Sequence, residues 1–229
     1  MNWRKNIVAM LEEKDLSALL ERAAEIHGHV CPGLAAGVKA AAVGCDRLNA
    51  VDSEGMEEVM AVVECNNCFV DGIQAVAGCT FGNNALVYRD LGKTAVTLYR
   101  RDGDRAVRLR LLEFSIGEGS EQEEAERLFE KAVKRRETLT DEEDKRFTRL
   151  WEKGANRLLE TPTEEIFEVQ WVNKPDIDYA PIFESEECEK CGEKVMESRI
   201  RLREGRPFCL ECAGENYGEL TGAGIGCVR

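Results

Sequence analysis

Apolar residues recur along this chain with two periods. At Leu16, Leu19, Leu20 and Ala23 they fall three and four apart, which predicts a helix from about Asp15 to about Ile26. The same spacing returns after Pro32, at Leu34, Val38, Ala41, Ala42, Cys45 and Leu48, and predicts a second helix. This helix also carries Gly33, Ala36, Gly37, Ala40 and Gly44, small residues that let another backbone come close. That backbone belongs either to a second copy across a dimer axis or to the same protomer. VMAVVEC (59–65), apolar but for Glu64, reads as a buried strand, whereas VDGIQAVAG (70–78) reads as a short helix stopped by Gly78.

The period then changes to two. TAVTLYR (94–100) and AVRLRLLEF (106–114) read as strands, and the Asp-Gly turn between them predicts an antiparallel hairpin. Helical spacing resumes near Ser120, where Ser120 and Glu123 have capping-box spacing, with Ala125, Leu128, Phe129, Ala132 and Val133 facing inward. Thr140 and Glu143 repeat the capping signal ahead of a stripe at Phe147, Leu150, Trp151 and Leu158. EIFEVQWV (165–172) alternates as the last strand of a core spanning 1–172. Residues 173–184 hold two prolines and no period, and are assigned as a linker. A cysteine-rich module follows at 185–229.

Charge and cysteine content narrow the function. A net charge of -13 argues against nucleic acid and anionic membranes as partners. The N-terminal stretch MNWRKNIVAMLEEKDL lacks the apolar core of a secretory signal, and no window is apolar enough to span a bilayer. A cytoplasmic location is therefore expected, where the ten cysteines stay reduced and clusters of them serve metals or catalysis.

Four of them, Cys188, Cys191, Cys209 and Cys212, form two Cys-x-x-Cys pairs. The spacer between the pairs fits a hairpin around Glu204-Gly205, and four soft sulfurs from two tight knuckles suit tetrahedral zinc. A module this small needs the ion for much of its folding free energy. Arg199, Arg201 and Arg203 would share a strand face, but surrounding glutamates dilute any basic patch, so a solvated face is expected.

The second concentration of chemistry is IHGHVCPG (26–33), which holds both histidines of the chain. Proline fits the first position of a helix, so Cys31 falls at the N-cap, where free amides and the helix dipole favour a thiolate. His27 and His29 are expected in the extended connection before it. In ECNNCFVDGIQAVAGCTFG, Cys68 starts a short helix and Cys79 follows its end, with Asp71 available as a cap or as a hydrogen-bond partner of a ligand. Cys45 reads as packing, Cys65 and Cys227 are open, and Cys65 with Cys68 also permits a dithiol reading.

HGHVCPGLAAG, then CFVDGIQAVAGCTFGNNAL and YRDLGKTAVTLY, resemble the family of formylmethanofuran dehydrogenase E subunits, including its members that carry a C-terminal treble-clef zinc finger. The resemblance runs from about His27 through the finger. It implies an α+β core, with a mixed or antiparallel sheet packed by helices, and a homodimer. It also implies a core metal cleft lined by His29, Cys31, Cys68 and Cys79, with His27 next in line. Nitrogen and sulfur donors together suit zinc, with iron or nickel as alternatives. Asn67 and Asn83 stand where the family pattern often carries basic residues, which lowers the positive charge beside the cleft.

The resulting expectation is a metalloprotein accessory to anaerobic one-carbon, methanogenesis-related redox metabolism, beside larger oxidoreductase subunits. The pterin chemistry of such a complex belongs to those other subunits. Two further readings stay open. One is a regulatory protein whose finger contacts nucleic acid or a protein partner while the core senses a metal or small ligand. The other is a dithiol redox protein.

Overall fold

The computed structural model describes residues 2–228 and divides into two compact units, one ending at Asp176 and the other beginning at Ile177. The first is an α+β domain. Helices α1 (Lys5–Glu12), α2 (Leu16–His27) and α3 (Pro32–Arg47) precede strand β1 (Val59–Val63) and helix α4 (Cys68–Ala77). Strands β2 (Leu86–Tyr88), β3 (Ala95–Arg100) and β4 (Arg105–Leu111) follow. Then come α5 (Ser120–Phe129), a π-helical turn over Glu130–Lys134, α6 (Asp141–Glu160), α7 (Thr163–Ile166) and β5 (Phe167–Asn173). The sheet order is β2-β1-β3-β4-β5, parallel between β1 and β2 and antiparallel elsewhere, so the sheet is mixed.

Helix α3 lies at the centre and touches α2, α4, α6, β3 and β4. Leu34 through Ala41, Gly44 and Cys45 are all buried on it. Its small residues admit backbone from within the same protomer. A Cβ on Gly37 would stand 2.0 Å from the Phe69 carbonyl oxygen of α4, and one on Gly72 of α4 would stand 2.5 Å from the Val38 nitrogen. The two helices therefore cross backbone to backbone. On the sheet side, a Cβ on Gly44 would meet Leu98 Cδ1 at 2.3 Å, which seats α3 on β3. Buried Lys39 donates from Nζ to the carbonyl oxygens of Leu158, Leu159 and Thr161, tying α3 to the C-terminal end of α6 and satisfying carbonyls that the helix leaves open.

Two capping expectations separate. Thr140 and Glu143 form the reciprocal box at the start of α6. Ser120 does not cap α5: Gly119 occupies the N-cap and its carbonyl accepts from the Glu123 amide, so Ser120 is already inside the helix. The predicted hairpin is β3–β4. EIFEVQWV begins as the short helix α7 and becomes strand only at Phe167.

The second unit carries three two-stranded ribbons. These are β6 (Ser185–Glu187) with β7 (Lys194–Met196), β8 (Ile200–Arg203) with β9 (Arg206–Cys209), and β10 (Tyr217–Thr221) with β11 (Gly224–Val228). The one-turn helix α8 (Leu210–Ala213) follows β9. No helix among the described residues is long and apolar enough to cross a membrane.

The crossing makes a stability prediction. Gly37→Ala forces a methyl group into backbone that cannot retract, and should cost about 3 kcal/mol, the upper end for overpacked sites. Denaturant unfolding of the core should report the loss, and a midpoint equal to that of the unsubstituted chain would contradict the crossing.

Candidate metal centre

The local sequence delivers the donors one by one. α2 ends at His27 because Gly28 takes the left-handed conformation (φ 90°) as its C-cap. His27 is thus the last residue of a helix, not part of an extended connection. The chain then reverses through His29 to Cys31, the N-cap of α3, whose Sγ accepts from the Leu34 amide at 3.3 Å. Cys68 is the first residue of α4. Because α3 and α4 cross near their beginnings, Cys68 is brought against the start of α3: a Cβ on Gly33 would lie 3.1 Å from the Cβ of Cys68.

The donor atoms of His27, His29, Cys31 and Cys68 all lie within 4.8 Å of one another. His27 Nε2 stands 3.8 Å from Cys31 Sγ. Zinc at its usual distances from sulfur and nitrogen, in a tetrahedron, separates two such ligand atoms by about 3.6 Å. The spread of the cluster is therefore close to that of a transition-ion site. Cys31 is buried, His27 and Cys68 are half-buried, and His29 is exposed, so the cluster faces solvent on the side of His29.

Asp71, one turn into α4, accepts from His27 Nδ1 at 2.7 Å. A carboxylate can only accept, so the proton sits on Nδ1 and the Nε2 lone pair is left for an ion; carboxylate support of this kind is usual for metal-binding histidines. The thiols are coupled. A hydrogen bond from Cys31, helped by His27, lowers Cys68 to about 5, while that same bond and burial push Cys31 up.

Cys79 is not brought to this cluster. Its thiol is fully buried and donates to the Val59 carbonyl oxygen at 3.2 Å, and burial pushes its pKa up. The reason is geometric: Cys68 begins α4 and Cys79 follows its end, and a ten-residue helix is about 15 Å long. The ligand role implied for Cys79 by family resemblance is corrected accordingly. Cys65 lies outside the cluster as well, its thiol directed at Asn67 Oδ1 at 3.5 Å, so the thiol adjoining Cys68 is Cys31.

The two asparagines have structural roles. Asn67 caps α4 by accepting from the Phe69 amide. Asn83 accepts from the Thr80 and Ala85 amides and donates to the Gly55 and Gly78 carbonyls, which a lysine could not reproduce.

In the second unit the sulfurs of Cys188, Cys191, Cys209 and Cys212 also lie within 4.8 Å of one another. Cys188 and Cys191 sit in the turn between β6 and β7, where Gly192 takes a left-handed φ of 73° and its amide closes on the Cys188 carbonyl. Cys209 caps α8 and Cys212 lies within it, giving a treble-clef arrangement. Amides donate to sulfur here too, from Cys209 to Cys188 and from Cys212 to Cys209, each at 3.3 Å. Backbone donors lower Cys188 to about 6, whereas hydrogen bonding with Cys209 pushes Cys212 up to about 12.

Comparison with known proteins agrees with this layout. A family model described as "FmdE, Molybdenum formylmethanofuran dehydrogenase operon" matches residues 26–168, and one described as "Prokaryotic dksA/traR C4-type zinc finger" matches residues 181–218. A protein of Archaeoglobus fulgidus named "Probable S-adenosyl-L-methionine-binding protein" is 42% identical over 217 residues, 93% of this chain; the chain spans 57% of that relative's length. The crystal structure of an FmdE-like protein of the tungsten formylmethanofuran dehydrogenase type, from Syntrophus aciditrophicus, superposes with a TM-score of 0.55 at 22% identity, over 87% of this chain and 92% of that one. At that identity the likeness is one of fold.

The correction at Cys79 is directly testable. Cys79→Ala should leave the zinc stoichiometry of the full chain unchanged, while Cys68→Ala should remove one equivalent. Elemental analysis after desalting distinguishes the two, and loss of an equivalent from Cys79→Ala would restore it as a ligand.

Proposed function

This chain belongs to the FmdE family, and from that premise we propose that its core holds a transition ion on His27, Cys31, Cys68 and His29 in the service of anaerobic one-carbon redox metabolism. The convergence of four nitrogen and sulfur donors from α2, α3 and α4 within 4.8 Å carries the proposal. Zinc fits the donors best, and iron and nickel are the alternatives that imidazole with thiolate admits. A second, structural zinc sits in the C-terminal finger.

The residues divide the work. Cys31 and Cys68 supply charge from the starts of two helices, where amides such as that of Leu34 stabilise thiolate. Asp71 holds the His27 proton on Nδ1 and so keeps Nε2 a donor. His29, exposed, is the ligand best placed to yield its position to an incoming group. When bound, a metal of this kind polarises an oxygen ligand or lowers the pKa of a water molecule. The proposal extends to the surroundings: a cytoplasmic homodimer, accessory to larger oxidoreductase subunits of the kind named in the family description.

The Archaeoglobus relative introduces a second reading, binding of S-adenosyl-L-methionine, supported by its 42% identity over nearly all of this chain. The amino and carboxylate groups of that ligand form a chelating pair suited to a metal open on one side. Calorimetric titration of S-adenosyl-L-methionine into the zinc-loaded and zinc-free chain tests it, with binding that depends on core zinc as the expected result.

For the principal reading, the full chain should carry two metal equivalents and the Cys31→Ala, Cys68→Ala double variant one. A wild-type chain that never takes up more than the finger zinc would refute it. Sedimentation at several concentrations checks the dimer, a single monomeric species being the contrary outcome.

A further inference from the structure

We propose that Gln74 is a positioning residue that makes His27 a competent ligand by locking the Asp71 carboxylate, and that the loop after α4 anchors it. The inference rests on the core-site reading and goes one link further out. Gln74 Nε2 donates to Asp71 Oδ1 at 3.2 Å, while the other carboxylate oxygen, Oδ2, takes the proton of His27 Nδ1 at 2.7 Å. On its far side, Gln74 Oε1 accepts from the Phe81 amide at 3.2 Å.

Each link has only one possible direction. A backbone N–H donates and never accepts, so the oxygen of the Gln74 amide must face Phe81. Its NH2 group is thereby turned to Asp71, which accepts on both oxygens. His27 is left as the donor on Nδ1, with Nε2 aimed toward Cys31 Sγ, 3.8 Å away. A fixed amide in a loop thus holds in place the carboxylate that sets the tautomer of a histidine three hydrogen bonds distant.

The anchor is tied down on several sides, whereas the middle of the relay is open to water. The loop is held by the four hydrogen bonds of the Asn83 side chain, one of them to the Gly55 carbonyl outside it and one to the carbonyl of Gly78, the C-cap of α4. The Asp71 side chain is 36% exposed, so water competes for its oxygens and nothing else in the relay holds Oδ1. An ordinary surface pair at i and i+3 on a helix would contribute a few tenths of a kcal/mol of helix stability and leave a metal site untouched. Outer partners of metal-binding histidines, by contrast, change metal affinity by about 10- to 100-fold.

The test is a zinc titration of the full chain in competition with a chromophoric chelator, with the finger equivalent as internal reference. Gln74→Met keeps length and helix propensity but cannot hydrogen-bond, and should weaken the core equivalent by about 10- to 100-fold while sparing the finger. Gln74→Glu keeps the shape, cannot donate to Asp71, and should weaken the core site at least as much. Phe81→Ala, which removes a side chain 73% exposed but keeps the amide, should bind as wild type does. Long-range proton–nitrogen correlation spectra of the zinc-free chain should show His27 protonated on Nδ1 in the wild type and a mixture of tautomers in Gln74→Met, where Asp71 is no longer held against Nδ1. Should Gln74→Met not fold, Gln74→Glu decides alone. Core affinity within about threefold of wild type in the glutamate variant, with the His27 tautomer unchanged, would overturn the proposal while leaving the metal site standing. A wild-type chain that binds only the finger zinc would remove both.

Discussion

The contact between the backbones of α3 and α4 at Gly37 and Gly72 is the constraint on which the core depends. Neither position has space for a methyl group, since each would be met by main-chain atoms of the opposite helix. Such an approach brings the two helix beginnings side by side, and both beginnings carry a cysteine. The positive ends of two helix dipoles then face one small volume, which is where negative sulfur is best stabilised. α2 adds the imidazole of His27 from its own C-terminus, and Gly28 reverses the chain that then brings His29 to the same volume. The site is therefore a by-product of helix packing, built before any ion arrives. Lys39 and Gly44 serve the same end from other sides of α3, fixing it to α6 and to the sheet.

Much of this was legible in the chain. Pro32 placed the start of α3 and so put Cys31 at an N-cap, and the small residues on α3 announced a close approach without saying to what. Their partners are α4 and the sheet of the same protomer, so they are no argument for a dimer axis. The finger was legible almost completely, because all four ligands fall within one short segment and the spacing itself encodes two knuckles. The core site was harder, since its donors come from three helices and only tertiary packing decides which of them meet. Cys79 shows the difficulty: it is near Cys68 in sequence, yet an intervening helix carries it to the far end. Ser120 failed as a cap for a local reason, because Gly119 could take the N-cap conformation one residue earlier. Asp71 was visible as a carboxylate near a ligand, whereas Gln74 carried no signal beyond its i+3 spacing from it.

The two clusters relate differently to folding. In the finger, three short ribbons and a one-turn helix bury little apolar surface, and Cys188 is the buried apolar residue of that unit among those described. The ion there must contribute to folding outright. In the core, an extensive apolar interior already holds the helices in place, and residues such as Leu34, Phe69 and Ile73 are fully buried without reference to a metal. An ion bound there, as proposed, would add to a framework that stands by itself, and a ligand position could be exchanged without loss of the fold.

Charge completes the distinction. Two thiolates, two neutral imidazoles and a divalent cation sum to zero, a set that a half-buried site accepts at small desolvation cost. Four thiolates around the same cation leave two negative charges, which must be offset locally. The finger meets that need with main-chain donors, the Cys209 and Cys212 amides each pointing at sulfur, and with an exposed location for Cys191. In the core, one imidazole is held by Asp71 and the other stands in solvent. Because removing His29 from such a set changes no charge, its place can be taken by a neutral or a singly negative group, whereas in the finger any ligand lost is a charge lost. On the proposed reading the core site is thus the one suited to admit a ligand, and the finger the one suited to stay closed.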